Sequence, residues 1–269
     1  QIDYSKTFVS DIAIILNISH DHLERHKTFK NYVNTKLKLI KKQKKKSIAL
    51  IEKNNGLIKD ILRSQKVKSK IKNVNFKEYD SFYKKIKNNY FKNLSNIKNL
   101  SFVLKLSKIL KLDNSKILKV VNRFKGLNYR QQIIYDKKNF LIVNDSKSTS
   151  FSSSVPLLQS YENIYWILGG LAKKGDKLNL NKKYFKKIKA YIYGTNKAFF
   201  LNVLKNKCRL HSSKNLKDIL SKLFLDIKKN KNGKKTILFS PAAASFDQFK
   251  NFEERGKYFN QLLKKYINA

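Results

Sequence analysis

The sequence predicts an α/β protein in which parallel strands alternate with helices that cover both faces of the sheet. Short apolar runs bounded by polar residues recur along the chain, with longer amphipathic stretches between them; that alternation is the mark of repeated β-α units. Hydrophobic residues make up 41% of the chain and aromatics 12%, enough to close a core and too much for a disordered basic tail. A length of 269 residues leaves room for one large domain or two ordinary ones.

In chain order, "AIILNIS" (13–19) and "SIALIE" (47–52) read as buried strands, and 28–42 and 57–66 as the helices that follow them. Helical patterning then dominates, with helices over 97–110 and 115–123, before a strand-rich pattern restarts at Gln131. The change in character sets a domain boundary near 127, giving segments 1–127 and 128–269. In the second segment "FLIVN" (140–144), "IYWILGG" (164–170), "AYIYG" (190–194) and "TILFS" (236–240) read as strands. Helices are expected over 179–188, 216–228 and 246–266. In the last of these Phe249, Phe252, Phe259, Leu262, Leu263 and Tyr266 recur at spacings that draw one buried stripe. The lysine-rich segments 41–46, 66–73 and 228–235 read as surface connections, and no internal repeat is present. No apolar run approaches the roughly 20 residues of a membrane span. The single cysteine, Cys208, excludes an internal disulfide framework and fits a reducing, cytoplasmic setting.

A net charge of +42 first points to nucleic acid. Only six of the 60 basic residues are arginine, however, and arginine is the side chain best shaped for phosphate and base edges. The lysines are spread along the whole chain, together with abundant Asn, Ile, Phe and Tyr and few Gly or Pro. All five abundant types have A/T-rich codons, so compositional drift with solvated lysine faces accounts for the charge better than a selected polyanion surface. Segments that resist the drift are then under constraint.

Three such islands stand out. "SPAAASFDQFKNFEERG" (240–256) holds one lysine and three acids in 17 residues. "VNDSKSTSFSSSVP" (143–156) ends a strand in Asn-Asp and a run of hydroxyls, and "ILGGLAKKGD" (167–176) concentrates glycine after another. Each follows a strand of the same expected sheet, at the carboxyl ends where open α/β folds bind ligands. Helix N-terminal amides, hydroxyls and lysines there suit a carboxylate or a phosphate. Singly, each island also reads as an ordinary N-cap or a tight turn; together they favour a site.

A fourth cluster, "NISHDHLERHKTFKNYVNTKLKLI" (17–40), carries His20, His22 and His26. No cysteine lies near and the spacing fits no closed zinc pattern. Asp21 and His22 at a strand end, ahead of a helix bearing Lys36, better suit a magnesium and phosphate site. Spacing alone does not single out Lys36 among its neighbours.

These segments resemble the Mur ligase family, in order and over almost the whole chain: "LNISHDHLERH", "NYVNTKLKLI", "SNIKN", "RFKGLNYR", "VNDSKSTS", "LGGLAKK" and "SPAAASFDQFKNFEERG". The last, with "NDSKST", is similar to the branch that adds D-glutamate to UDP-N-acetylmuramoyl-L-alanine. The resemblance implies the distal part of a P-loop-type ATPase domain (1–127) followed by a Rossmann-like, D-glutamate-binding α/β domain (128–269). It implies ATP and Mg2+ as cofactors, an acyl-phosphate intermediate in peptidoglycan synthesis, and a monomer without nucleic-acid or membrane partners. It also implies roles for residues. His22 and Lys36, the latter as a carbamate, are the expected catalytic and metal-binding pair, with Asp21 beside them. Asn96, Asn99, Arg130 and Asp145 are expected at ATP, and Gln1, Lys147, Thr149, Lys173, Ser245, Phe246 and Phe252 at the acceptor and D-glutamate.

The sequence departs from the family pattern in four respects. No GK[ST] P-loop is present, and the family's uridine-binding amino-terminal domain is not in the sequence. Gln1 resembles the glutamine of a "SSFQ" segment whose upstream magnesium-binding glutamate is not in the chain. Tyr129 stands where the family often has histidine. The expectation is therefore a piece of a longer ligase, inactive alone. The competing readings are a decayed ligase relic serving as a binding or structural protein, and a lysine-rich nucleic-acid binder with steep salt dependence.

Overall fold

The computed structural model describes residues 2–5, 7–18, 23–137, 139–230 and 233–267. The chain divides into two compact units, residues 1–87 with 96–122 and residues 88–95 with 123–269. Residues 88–95, six ahead of the second long helix and its first two, thus belong to the carboxy-terminal unit.

The first unit runs β1 (Ile12–Ile15), α1 (Leu23–His26), α2 (Phe29–Lys41), β2 (Ile48–Glu52), α3 (Gly56–Ser64), β3 (Lys70–Val74), α4 (Asp80–Tyr83), α5 (Leu94–Ile109) and α6 (Asn114–Arg123), the first two residues of α5 and the last of α6 falling in the other unit. Its strands form a parallel sheet in the order β1-β2-β3. Strand alternation sends Ala13, Ile15, Ala49 and Ile51 against Val33, Leu37 and Ile40 of α2 and Ile58 and Leu62 of α3. Leu50 and Val74 face the other way onto Phe102 of α5. Thr28 caps α2 by accepting the Asn31 N–H at 3.2 Å, which satisfies one of the helix's orphan amides. Residues 66–73, read as a surface connection, include most of β3. Four of its five residues are exposed, so an edge strand with a single buried position left no alternation to read.

The second unit runs β4 (Gln132–Lys137), β5 (Phe140–Asn144), α7 (Phe151–Ser160), β6 (Ile164–Gly169), β7 (Ile188–Tyr193), α8 (Lys197–Leu204), β8 (Arg209–Ser212), α9 (Leu216–Lys229), β9 (Lys235–Phe239) and α10 (Phe252–Ile267). The sheet order is β4-β5-β9-β6-β7-β8; β4 pairs antiparallel with β5 and every other pair is parallel. Ile164, Trp166 and Leu168 of β6 pack with α7 and α8 through Phe151, Leu157, Phe200 and Leu204. Tyr165 and Ile167 face α9 and α10 through Leu220, Leu223, Phe259 and Leu263. Helices thus cover both faces, as the alternation predicts, and each large apolar side chain so buried contributes about 1.5–3 kcal/mol. Cys208 is half-buried, and burial pushes its thiol up to about 11.

Two helical expectations need correction. Over 179–188 only a short 3-10 turn forms, Lys182–Lys187. The last helix begins at Phe252, because the Ser245 carbonyl accepts the amides of Gln248 and Phe249 and holds 245–249 in a turn. Lys235, placed in a surface connection by its neighbours, opens β9 and is 5% exposed.

Candidate functional site

The loops that follow β5, β9 and β6 leave adjacent strands at one end of the second sheet. They carry the three islands, and each is tied to the next.

The β5 loop begins with Asn144, whose Nδ2 donates to the Gly256 carbonyl at 2.9 Å and to Asn260 Oδ1 at 2.8 Å, while its Oδ1 accepts the Ser146 amide. Asp145 is buried. Its Oδ2 accepts from Ser240 Oγ at 2.9 Å and its Oδ1 from the Gln131 N–H at 3.0 Å. Burial pushes this carboxyl up to about 7, against those two hydrogen bonds and the positive charges of Arg130 and Arg255. Ser240 Oγ lies 2.8 Å from Ser154 Oγ, Ser154 Oγ 2.7 Å from Ser148 Oγ, and Ser148 Oγ 2.9 Å from Ser153 Oγ. A chain of hydroxyls thus runs from the buried acid to the start of α7. Lys147 donates its amide to the Tyr129 carbonyl at 2.9 Å, and its Nζ lies 3.9 Å from the centre of the Phe252 ring, a close cation–π contact. Thr149 is half-buried beside it.

The β6 loop turns at Gly169 and Gly170. A Cβ on Gly169 would meet the Tyr193 carbonyl at 2.0 Å, and one on Gly170 the Ala244 carbonyl at 2.4 Å. Leu171 and Ala244 exchange two backbone hydrogen bonds, both 2.9 Å, so the loops bearing Lys173 and Ser245 run side by side. Lys173 is half-buried, and its carbonyl closes a turn with the Asp176 amide. Asp176 Oδ2 then accepts the Phe151 N–H of α7 at 2.7 Å.

The β9 loop, "SPAAAS", is built of small residues because it threads between the other two. Ala242 adopts φ 54, a left-handed conformation costly for a residue with a Cβ. Ser245 is buried at 3% exposure, and Phe246 stands out at 71%. Asp247 Oδ2 accepts the Thr195 N–H at 3.2 Å beyond β7, and a Cβ on Gly194 would lie 2.7 Å from that oxygen.

Lys147, Thr149, Lys173, Ser245, Phe246 and Phe252 therefore lie on interlocked loops at one sheet end. Arg130 is exposed, and its charge acts on Asp145. The helix amides expected to receive an anion are taken in part by the chain itself, since Asp176 occupies Phe151 N–H and Asn251 Oδ1 the amide of Glu254. Tyr129 adopts φ 60, and its ring lies over Gly256, where a Cβ would come within 2.4 Å.

In the first unit, Lys36 is half-buried on α2 with Nζ 5.4 Å from the Tyr32 ring centre. Asn96 is buried and Asn99 exposed one turn apart on α5. Gln1, His20, Asp21 and His22 lie outside the described residues. Among the described residues no three His, Cys, Asp or Glu side chains gather as a metal-binding group, and no helix is long and apolar enough to cross a membrane.

Sequence reasoning missed Arg255, Ser240 and Asp176. One signal was available for Arg255: it is one of six arginines in a chain where about one residue in five is lysine.

Fold and sequence together define the class. Residues 1–110 match the Mur ligase middle domain, and the chain belongs to the Mur ligase family. It is 33% identical over 284 residues to a UDP-N-acetylmuramoylalanine–D-glutamate ligase of Rickettsia bellii, covering 97% of this chain and 63% of that one. It is 36% identical over 278 residues to the ligase of the same name from the Wolbachia of Brugia malayi, covering 95% and 53%. Among solved structures, MurF from Acinetobacter baumannii shares the fold at a TM-score of 0.68 and 14% identity over 94% of this chain and 60% of that one. MurF from Thermotoga maritima, in complex with ADP, does so at 0.62 and 16%, over 96% and 64%. The chain thus spans 53–63% of the length of these curated relatives.

Proposed function

We propose that the whole protein is an ATP-dependent ligase that joins D-glutamate to UDP-N-acetylmuramoyl-L-alanine in peptidoglycan synthesis. The observation that carries this reading is the interlocking, at one sheet end, of the loops bearing Lys147, Lys173 and Ser245, in a chain collinear with ligases named for that reaction.

The acceptor carboxylate attacks the γ-phosphorus of ATP, forming an acyl phosphate and releasing ADP. The amine of D-glutamate then attacks the acyl carbon; the C–N bond forms, the C–O bond to phosphate breaks, and the amine gives up its proton. Most of the work is positioning of mutually repelling anions. Lys147, Lys173, Thr149 and Ser245 meet the two carboxylates of D-glutamate, with the backbone at Phe246 and the ring of Phe252 lining the pocket. Lys147, already seated over that ring, has its amine held close to one position. Arg130 reaches toward the nucleotide phosphates. Asp145, turned inward to Ser240 and the Gln131 amide, serves the nucleotide by holding the turn that carries Arg130. Asn96 and Asn99 mark the adenine side, Gln1 the acceptor side. Carbamylated Lys36 with His22 would hold magnesium, whose charge offsets that of the phosphates. A cytoplasmic monomer, 1–127 serving ATP and 128–269 serving D-glutamate, completes the reading.

The test is amide formation by the whole protein with D-glutamate and not L-glutamate, followed as product and released phosphate. Lys36→Ala should lose activity and regain it with a short-chain carboxylate. Equal use of the two enantiomers, or no product, overturns the reading.

A further inference from the structure

Arg255 carries no expected role, yet its side chain is 0% exposed. From the second turn of α10, Nε donates to Ser146 Oγ at 3.0 Å, Nη2 to the Ser146 carbonyl at 2.7 Å and Nη1 to the Ala243 carbonyl at 3.0 Å. Two of its three acceptors are thus backbone carbonyls, one on each of two different loops. Ser146 Oγ passes the link on, donating to the Phe252 carbonyl at 2.8 Å, beneath the ring on which Lys147 rests. Burial lowers the guanidinium's pKa, while Tyr193, Asp247 and Asp145 push it back up.

The geometry points to Arg255 as a positioning residue, which sets the spacing between the Ser146–Thr149 loop and the Ala243–Ser245 loop and so tunes the site for a ligand with two carboxylates. Ser146 precedes Lys147 directly, and Ala243 stands two residues before Ser245 in a loop already strained at Ala242. The fork meets the two carbonyls from separate nitrogens, Nη1 and Nη2, in a fixed planar geometry; an ammonium has three donors on one flexible nitrogen and cannot hold that spacing. The same guanidinium would lie 3.3 Å from a Cβ on Gly170, so the β6 loop closes against it as well. The dicarboxylate part of this inference rests on the proposed function; the spacing part does not.

Arg255→Lys and Ser146→Ala test it, the second removing one hydroxyl while leaving the guanidinium its two carbonyls. In the whole protein both variants should raise KM for D-glutamate, by about tenfold or more for Arg255→Lys and several-fold for Ser146→Ala, with kcat and the KM for ATP within about threefold. Hydrogen exchange reads the spacing without substrate: amides of 145–149 and 242–248 should exchange faster in both variants while those of 188–193 do not. Uniform acceleration throughout the unit, or an unchanged D-glutamate KM in a folded Arg255→Lys, overturns the inference. If the wild-type protein takes no D-glutamate, the proposed function falls; local acceleration at the two loops then still upholds the spacing role, and its absence ends it.

Discussion

The two ends of the second sheet make an instructive contrast. At the amino end of β9, Lys234 pairs with Asp136 at 2.5 Å, Lys235 Nζ folds back onto the Gly233 carbonyl, and Gly233 at φ 64 has nothing within 4 Å of a hypothetical Cβ. At the carboxyl end, three loops meet around Arg255, Ser240 and Asp145 with backbone-to-backbone contacts that exclude even a methyl group. At the open end Lys235 folds back on the chain, whereas at the carboxyl end Ser240, Ala243 and Ser245 are buried where the loops meet and Lys147 and Lys173 keep partial exposure.

Four substitutions sharpen or break that contrast. The largest effect is expected from Gly169→Ala, since the added carbon would lie 2.0 Å from the Tyr193 carbonyl at φ 141; a loss of about 3 kcal/mol or more should appear in denaturant unfolding. Gly233→Ala at the open end should cost only about 1 kcal/mol, from its backbone conformation alone. Similar losses at the two positions would break the contrast.

Next comes the buried acid. Burial pushes the Asp145 carboxyl up to about 7 in the fold, from 3.8 for an unperturbed aspartate, so between those values the folded state holds a proton that the unfolded state has released. Stability should accordingly fall as pH rises from about 4 to 7 and then level off, by a few kcal/mol at most. Asp145→Asn should flatten that slope and stand above wild type at pH 8, as thermal melts at pH 5 and 8 would read. A wild-type slope that survives the substitution would assign the proton elsewhere.

The smallest effect belongs to Asp176→Ala, which uncaps α7 from a neighbouring loop and should cost about 1 kcal/mol. Faster hydrogen exchange at Phe151 is the local sign. No change there would mean that the serines of the α7 capping box suffice.

The parts of the fold legible in the sequence are those where apolar content and period coincide. β2, β5, β6, β7 and β9 read directly because each lies between two neighbouring strands, and β1, at the end of its sheet, because all four of its residues are apolar. β3, β4 and β8 escaped because edge and near-edge strands such as "KIKNV" and "RLHS" have too few buried positions for alternation to register. α7 escaped for another reason: "FSSSVPLLQS" has poor helix propensity and is held by the Ser148–Ser153–Ser154 hydroxyl contacts, which no single-residue preference contains. The loops of the candidate site were legible as drift-resistant islands after strands. Arg255 and Asp176 were not, because their partners lie 109 and 25 residues away in the chain. Long-range hydrogen bonding leaves no periodic trace.

Asp176 has one more consequence. By seating its own carboxylate on the first amide of α7, the protein has closed the fixed dipolar end that a free acid would otherwise approach. Under the proposed function the diacid meets instead the ammonium groups of Lys147, held over the Phe252 ring, and of half-buried Lys173, whose reach is cut off beyond about 10 Å in 0.1 M salt. Ionic strength thereby becomes a dial on capture, with the buried framework of hydroxyls and guanidinium beneath it indifferent to the setting.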